Sequence, residues 1–254
     1  TATSHFAGHV DPSAGEFVLQ RVEVSGHDGE RLPVDLLGSN LAFDAEHGLV
    51  RLDVALRNVG TVALYPPAEV RVFDFDPRSV RLTNANLPSP DPDEDGWAID
   101  YSRLLGPDAM LLPGHTSDPY RWRLVDPDGM AFSFGVDVVM QREPPAAEIA
   151  GGVYEDLNQN GIRERNEPPW LGGFLQLTAP DGSMRQTFCE ENGAFRFYVE
   201  ELGLYRVELI SMVDCPVCFT TPNPIEVVLL PGPDDLPQSY RNAVFGAVCG
   251  ECID

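Results

Sequence analysis

Apolar and polar positions alternate along most of the chain. In residues 49–58, Val50, Leu52, Val54 and Leu56 fall on one face while Arg51, Asp53 and Arg57 fall on the other. That two-residue period is the mark of a strand buried on one side. Shorter runs of the same kind occur at 17–24, 70–75, 120–125 and 131–140, separated by turn-forming pieces such as Asp126-Pro127-Asp128-Gly129. Helical periodicity is absent, and only residues 100–105 suit a single helical turn. Regularly spaced strands with turn signals predict a β-sandwich over residues 14–142. Residues 1–13 show no period of their own and read as a flexible N-terminal arm.

Adjacent prolines at Pro144-Pro145 lack amide donors and hold the chain extended, so residues 143–148 read as a stiff linker. A second series follows at 149–154, 174–178, 194–199, 203–210, 225–230 and 240–247, with hairpin signals at Pro180-Asp181-Gly182 and Glu191-Asn192-Gly193. This predicts a second sandwich over 149–248, followed by a cysteine-containing tail at 249–254. The 254 residues thus divide into two all-β domains of ordinary size.

Charge narrows the roles open to such a protein. The formal net charge is -23, which argues against nucleic acid and anionic lipid as partners, because both are bound by cationic surface. All 17 cations are Arg, so mechanisms that need an amine nucleophile or a phosphate-loop lysine are excluded. The five His (His5, His9, His27, His47 and His115) lie in the first half, leaving the second half no His-based site. No apolar run approaches the ~18 residues of a membrane span. Beginning at Thr1 rather than Met fits the removal of an export signal, although a cloning boundary would look the same. With 23 Pro and 23 Gly, the composition suits a loop-rich secreted protein.

One motif carries a definite chemistry. Residues 156–167 place oxygen side chains at loop positions 1, 3, 5, 9 and 12 (Asp156, Asn158, Asn160, Glu164 and Glu167), with Gly161 at position 6. This is a calcium-loop spacing. Calcium takes hard oxygen ligands, and a chain curling around it would offer Asp156, Asn158 and Asn160 in turn. Gly161 permits the bend, the Ile162 carbonyl points inward, Glu164 ligates directly or through water, and Glu167 closes the site. Strand-like Gly151-Gly152-Val153-Tyr154 enters the loop and Pro168-Pro169 leaves it, so no helices flank it. The expected role is a structural clamp rather than a sensor.

The loop and its surroundings resemble a known family. Gly151-Gly152-Val153-Tyr154-Glu155-Asp156, Asn166-Glu167, Trp170-Leu171-Gly172-Gly173-Phe174, Glu191-Asn192-Gly193-Ala194-Phe195, Gly203-Leu204-Tyr205-Arg206-Val207 and Phe245-Gly246 resemble the B-type domain of serine-aspartate-repeat surface adhesins, within the collagen-adhesin B-like group. The likeness spans residues 148–248. It implies a prealbumin-like or immunoglobulin-like sandwich that serves as a calcium-stiffened, non-enzymatic stalk. Relatives often carry a Lys to Asn isopeptide crosslink, which a chain without Lys cannot make. In the first domain, Leu56-Arg57-Asn58-Val59-Gly60, Asp100-Tyr101-Ser102, Leu112-Pro113-Gly114-His115-Thr116-Ser117 and Phe132-Ser133-Phe134 resemble an immunoglobulin-like module of bacterial secreted proteins. There Asp91, Asp93 and Asp95 repeat the opening of a calcium loop without a closing Glu; Asp100 is a candidate substitute, and a solvated acidic loop without an ion is the alternative.

Cys215-Pro216-Val217-Cys218 and Cys249-Gly250-Glu251-Cys252 form two spaced pairs, with Cys189 left over. An exported chain favours disulfides; a four-sulfur zinc site and redox chemistry are the alternatives. A bond from Cys215 or Cys218 to Cys249 or Cys252 would tie down the C-terminal tail. His115 with Ser117 is the one close hydrolase-like pair, in a turn that does not suit catalysis. Trp97, Trp122, Trp170 and Tyr120 offer either a sugar platform or core packing, the latter being commoner.

These readings converge on a non-enzymatic, extracellular, calcium-binding structural protein whose partners are other surface proteins or further copies of itself. Two alternatives remain. One is a filament subunit that adds its N-terminal arm to a neighbour as a strand. The other is a carbohydrate-binding accessory module.

Overall fold

The computed structural model describes residues 2–22, 32–87, 96–106, 109–213, 215–232 and 239–250. They are strands and turns, and no helix among them is long and apolar enough to cross a membrane. The chain divides into two compact units, residues 1–144 and 145–254.

The first unit contains β1 (Ala2–Asp11), β2 (Glu16–Val22), β3 (Val34–Asp44), β4 (Leu49–Asn58), β5 (Tyr65–Asp76), β6 (Arg81–Leu82), β7 (Trp97–Asp100), β8 (Tyr120–Val125) and β9 (Phe132–Gln141). A five-stranded sheet in the order β2-β1-β9-β5-β7 faces a four-stranded sheet in the order β3-β4-β8-β6. Their shared core takes Phe6 and Val10 from β1, Val70 and Val72 from β5, Val136 and Val138 from β9, and the Val50, Leu52, Val54, Leu56 face of β4.

Residues 2–11 are not an arm. They form an interior strand, antiparallel to β2 on one side and to β9 on the other. Every second residue from Ala2 to Val10 is buried, but Ala2, Ser4 and Gly8 occupy inward positions, so small or polar residues hide the period. Packing explains them: Phe134 lies where a Gly8 side chain would stand, and the Ser4 hydroxyl donates to the Leu32 carbonyl at 2.6 Å. With both edges of β1 paired, it has no free ladder to lend a neighbouring molecule.

The outer face of β4 also departs from its pattern. Asp53 is only 5% exposed because it is forked by Arg121, directly opposite on β8, at 2.7 and 3.0 Å, and accepts from Asn40 at 2.9 Å. Arg121 first, and then Asn40, hold the Asp53 carboxyl below the ordinary carboxylate range, against the opposing effect of burial. A depressed folded pKa contributes stability above the unfolded value near 3.9 that is lost as pH falls through the folded value. Denaturation of wild type and Asp53→Asn between pH 6 and pH 2 is therefore expected to show the wild-type advantage shrinking below about pH 4. A constant difference across that range would refute the assignment.

The second unit contains β10 (Ala147–Glu155), β11 (Gly173–Thr178), β12 (Met184–Phe188), β13 (Ala194–Val199), β14 (Gly203–Ser211), β15 (Val217–Phe219), β16 (Ile225–Leu229) and β17 (Tyr240–Cys249). One sheet runs β13-β10-β17-β15 and the other β12-β11-β14-β16. Pairing is antiparallel except between β10 and β17, which run parallel. Phe195, Phe197, Phe245, Tyr205 and Trp170 fill the space between the sheets with Leu175, Leu177, Val207 and Leu209. Because β17 continues to Cys249, the expected tail at 249 begins inside a strand.

Candidate cation loop and the cysteine staple

The loop 156–167 leaves β10 and returns beside it. Glu155 donates its amide to the Pro168 carbonyl at 2.8 Å, Tyr154 bridges to Pro169, and Trp170 donates to Val153 at 3.3 Å. Pro168-Pro169 keeps the returning chain extended, and buried Trp170 anchors it in the core. On the other side of the loop base, the Asp156 amide donates to Ala247 of β17 at 3.1 Å. Both ends of the loop are therefore fastened to strands.

Within the loop, the carboxylates organise the backbone. Asp156 is fully buried and accepts the amides of Asn160 at 3.2 Å and Gly161 at 2.7 Å. Asn158 accepts from the Asn160 amide at 3.1 Å, and Asn160 from the Ile162 amide at 2.7 Å. Glu167, 6% exposed, joins the two halves by accepting Leu157 N–H at 3.1 Å and Glu164 N–H at 2.9 Å. Glu164 accepts the side-chain amides of Asn160 at 2.6 Å and Asn158 at 3.3 Å, and its other oxygen is buried without a hydrogen bond. Gln159 and Gly161 have φ of 57° and 73°. Glycine is needed at 161, where a Cβ would also stand 2.9 Å from the Thr220 carbonyl.

Electrostatics at the loop is one-sided. Burial alone would raise the Asp156 carboxyl, yet Thr220 and the Gly161, Asn160 and Gln159 amides hold it below its ordinary range. Hydrogen bonds from Asn160 and Asn158 likewise lower Glu164. Burial, with Asp156, Glu167 and Glu164 nearby, pushes the Tyr154 phenol up. The Asp156 and Glu164 carboxyls are thus both held down in a half-buried turn, and no ion pair between described residues involves them or Glu167. Unpaired buried charge is costly, so the residues suit a hard divalent cation. Among the described residues, however, no three acidic or His/Cys side chains converge closely enough to hold a metal by themselves. A cage here needs the neutral oxygens of Asn158, Asn160 and the Ile162 carbonyl. Ile162 itself projects its side chain outward, 65% exposed.

Of the second loop, Asp91, Asp93 and Asp95 lie outside the described residues. Asp100 ends β7 and accepts the Ser102 amide at 2.8 Å, and burial pushes its carboxyl above the ordinary range despite that bond.

The cysteine pairs are bridged across rather than within. Cys215 is bonded to Cys249, and Cys218 is also in a disulfide; Cys252 lies outside the described residues. Oxidised sulfur is unavailable as thiolate, which removes the four-sulfur zinc alternative. Cys189 is half-buried against the second core. Strand β15, missed by the periodicity because it has three residues, carries Cys218 beside β17.

Other sequence-level sites resolve into packing. The Ser117 hydroxyl donates to the Asp118 carbonyl at 2.9 Å and accepts the Leu56 amide at 3.0 Å, an anchor between strands. Trp122 and Trp170 are buried, while Trp97 stacks edge-on against Phe75 at 5.4 Å and Tyr120 lies 6.0 Å from Tyr101. These rings do not form the exposed platform a sugar needs.

No family model and no curated protein matches the chain. Among solved structures, a variant of the major pilin subunit of Bacillus cereus aligns at 10% identity and TM-score 0.26, over 76% of this chain and 64% of that one. The chain thus spans under two thirds of that subunit's length. The group B streptococcus pilus 2b backbone protein aligns at 7% identity and TM-score 0.26, over 84% and 98% of the two chains. An envelope protein of White Spot Syndrome Virus aligns at 13% identity and TM-score 0.26, over 54% and 96%. At such scores these likenesses bear no weight, and the all-β sandwich assignment rests on the sheets themselves.

Proposed function

We propose that the chain is a non-catalytic extracellular stalk or spacer of a surface assembly. Its second unit is stiffened by calcium held by Asp156, Asn158, Asn160, the Ile162 carbonyl, Glu164 and Glu167. The observation that carries this reading is the loop clamped at both ends between strands, with the buried Asp156 and half-buried Glu164 carboxyls held below their ordinary range and no ion-pair partner for either among the described residues. Calcium supplies the positive charge and hard-acid demand that such an oxygen set matches. The residues themselves do the mechanical part: Glu167 joins the two halves of the loop, Asp156 gathers the turn, and Trp170 secures the exit. The Cys215–Cys249 bond supports an oxidising compartment such as the cell exterior.

Single-molecule pulling on the full chain tests the mechanical role. The unfolding force of the 110-residue unit at 145–254 is expected to be higher in calcium than in chelator. Equal force distributions in the two buffers would remove the stalk reading.

A further inference from the structure

Two asparagines in the chain, Asn160 and Asn192, are followed by glycine, and the fold treats the two steps differently. An Asn-Gly step carries a reaction of its own. The glycine nitrogen attacks the side-chain carbonyl carbon Cγ and closes a succinimide ring, an approach that glycine leaves unhindered. Its rate depends on whether the nitrogen and Cγ are held together, and on whether the charge developing on Oδ1 meets a donor.

At Asn160 each part of this reaction has a partner. The Ile162 amide donates to Asn160 Oδ1 at 2.7 Å, which folds the side chain back over the peptide bond to Gly161 and aims an N–H at the oxygen that turns negative. The attacking nitrogen is fixed as well, because Gly161 N–H donates to Asp156 Oδ2 at 2.7 Å. The leaving nitrogen Nδ2 donates to Glu164 Oε1 at 2.6 Å. Asn160 is exposed, so water reaches the ring once it has formed.

Asn192 shares the folded side chain, since the Ala194 amide donates to its Oδ1 at 2.8 Å. Its glycine is placed otherwise. Gly193 is buried, and its N–H donates to the Glu190 carbonyl while its own carbonyl accepts Val153 N–H, both at 2.8 Å. Val153 and Pro169 crowd the place where a Gly193 side chain would stand. Moving this peptide toward Cγ breaks backbone bonds in a buried site with no room to re-form them, which opposes ring closure.

We propose that Asn160-Gly161 is a self-modification site, where the folded loop converts asparagine to aspartyl and isoaspartyl products while Asn192-Gly193 is protected. The bond from Gly161 N to Cγ forms, the bond from Cγ to Nδ2 breaks, and the amide proton ends on Nδ2, which leaves as ammonia. Water then opens the ring at either carbonyl. One opening gives aspartate and the other gives isoaspartate, with an extra methylene in the backbone. Both products exchange an amide that donates to Glu164 for an acid, which sets like charges against each other at that contact. The reaction needs no metal, and the proposal stands apart from the calcium reading.

The test is peptide mapping by mass spectrometry of the full chain, aged in chelator at mildly alkaline pH with and without urea. Trypsin releases Asn160 in peptide 143–163 and Asn192 in peptide 186–196, and fragment spectra separate Asn160 from Asn158. In the folded chain the mass gain of deamidation is expected to appear at Asn160 about a hundredfold faster than at Asn192, the scale of misplacing a reacting pair. In urea the two sites are expected to convert at similar rates, because only their shared Asn-Gly step remains. Ammonia release should match the mass gain, and Asn160→Gln should remove most of both from the folded chain. The wild-type ratio needs no variant to fold. Equal rates at the two sites in the folded chain, faster conversion at Asn192, or conversion of both in urea and of neither in the folded chain would each overturn the proposal.

Discussion

Chelation of calcium is expected to lower the melting temperature of the second unit by about 10 to 20 °C, and Asp156→Ala to abolish that dependence. A ligand bound only to the folded state at a hundred times its Kd stabilises by about 2.7 kcal/mol. In a domain of roughly 100 residues, each kcal/mol moves the midpoint by about 4 to 8 °C. Asp156 is the residue to change because its two oxygens gather the turn at Asn160 and Gly161 while the residue sits fully buried at the loop base. Ile162→Ala is the matched control: its outward side chain is removed and its carbonyl retained, so the calcium response should persist. Sodium chloride separates this from general screening of the -23 net charge, which acts on both units and at far higher concentration. Scanning calorimetry with and without calcium decides it, and coincident transitions for wild type would end the calcium reading.

Trp122→Ala is expected to destabilise the first unit by about 3 to 5 kcal/mol, a large share of the roughly 5 to 15 kcal/mol available to a domain. Trp122 is fully buried from β8, with its ring 6.0 Å from Phe134 of the facing sheet. Its indole N–H donates to the Tyr101 hydroxyl at 3.0 Å, which donates to the Val54 carbonyl at 3.1 Å. Burial pushes the Tyr101 phenol far up, so it remains a donor throughout the accessible pH range. Trp122→Phe keeps most of the packing and leaves Tyr101 bonded to Val54. It is expected to cost about 1 to 2 kcal/mol, the scale of one lost hydrogen bond plus a small cavity. Urea denaturation of the three proteins gives the comparison, and equal losses for Ala and Phe would show that the hydrogen-bonded chain, not the volume, governs this core.

Legibility in the sequence followed the size of the inward residues. Strand β4 declared itself because Val50, Leu52, Val54 and Leu56 are all large and apolar; β1 did not, because Gly8 and Ser4 are completed by Phe134 and Leu32 from distant parts of the chain. Strand β12 escaped because it lies at a sheet edge, with Met184, Arg185 and Gln186 exposed and little period to show. In the loop, the spacing of Asp156, Asn158, Asn160, Glu164 and Glu167 was readable locally, since consecutive positions of one turn carry it. Thr220, whose carbonyl meets Gly161, carried no signal: a threonine 64 positions from the loop's first residue has nothing in its neighbourhood that points there.

The chain by itself determined an all-β protein, the span of its acidic loop, and the absence of lysine chemistry, because each is a matter of local period, spacing or composition. Tertiary structure alone decided that the N-terminal residues are an interior strand, that the cysteine pairs are bridged across, and that the segment bearing Thr220 backs the loop. Those three depend on which distant strands become neighbours. A sheet ladder joins residues by shared burial and backbone pairing, which leaves no trace at fixed sequence separation.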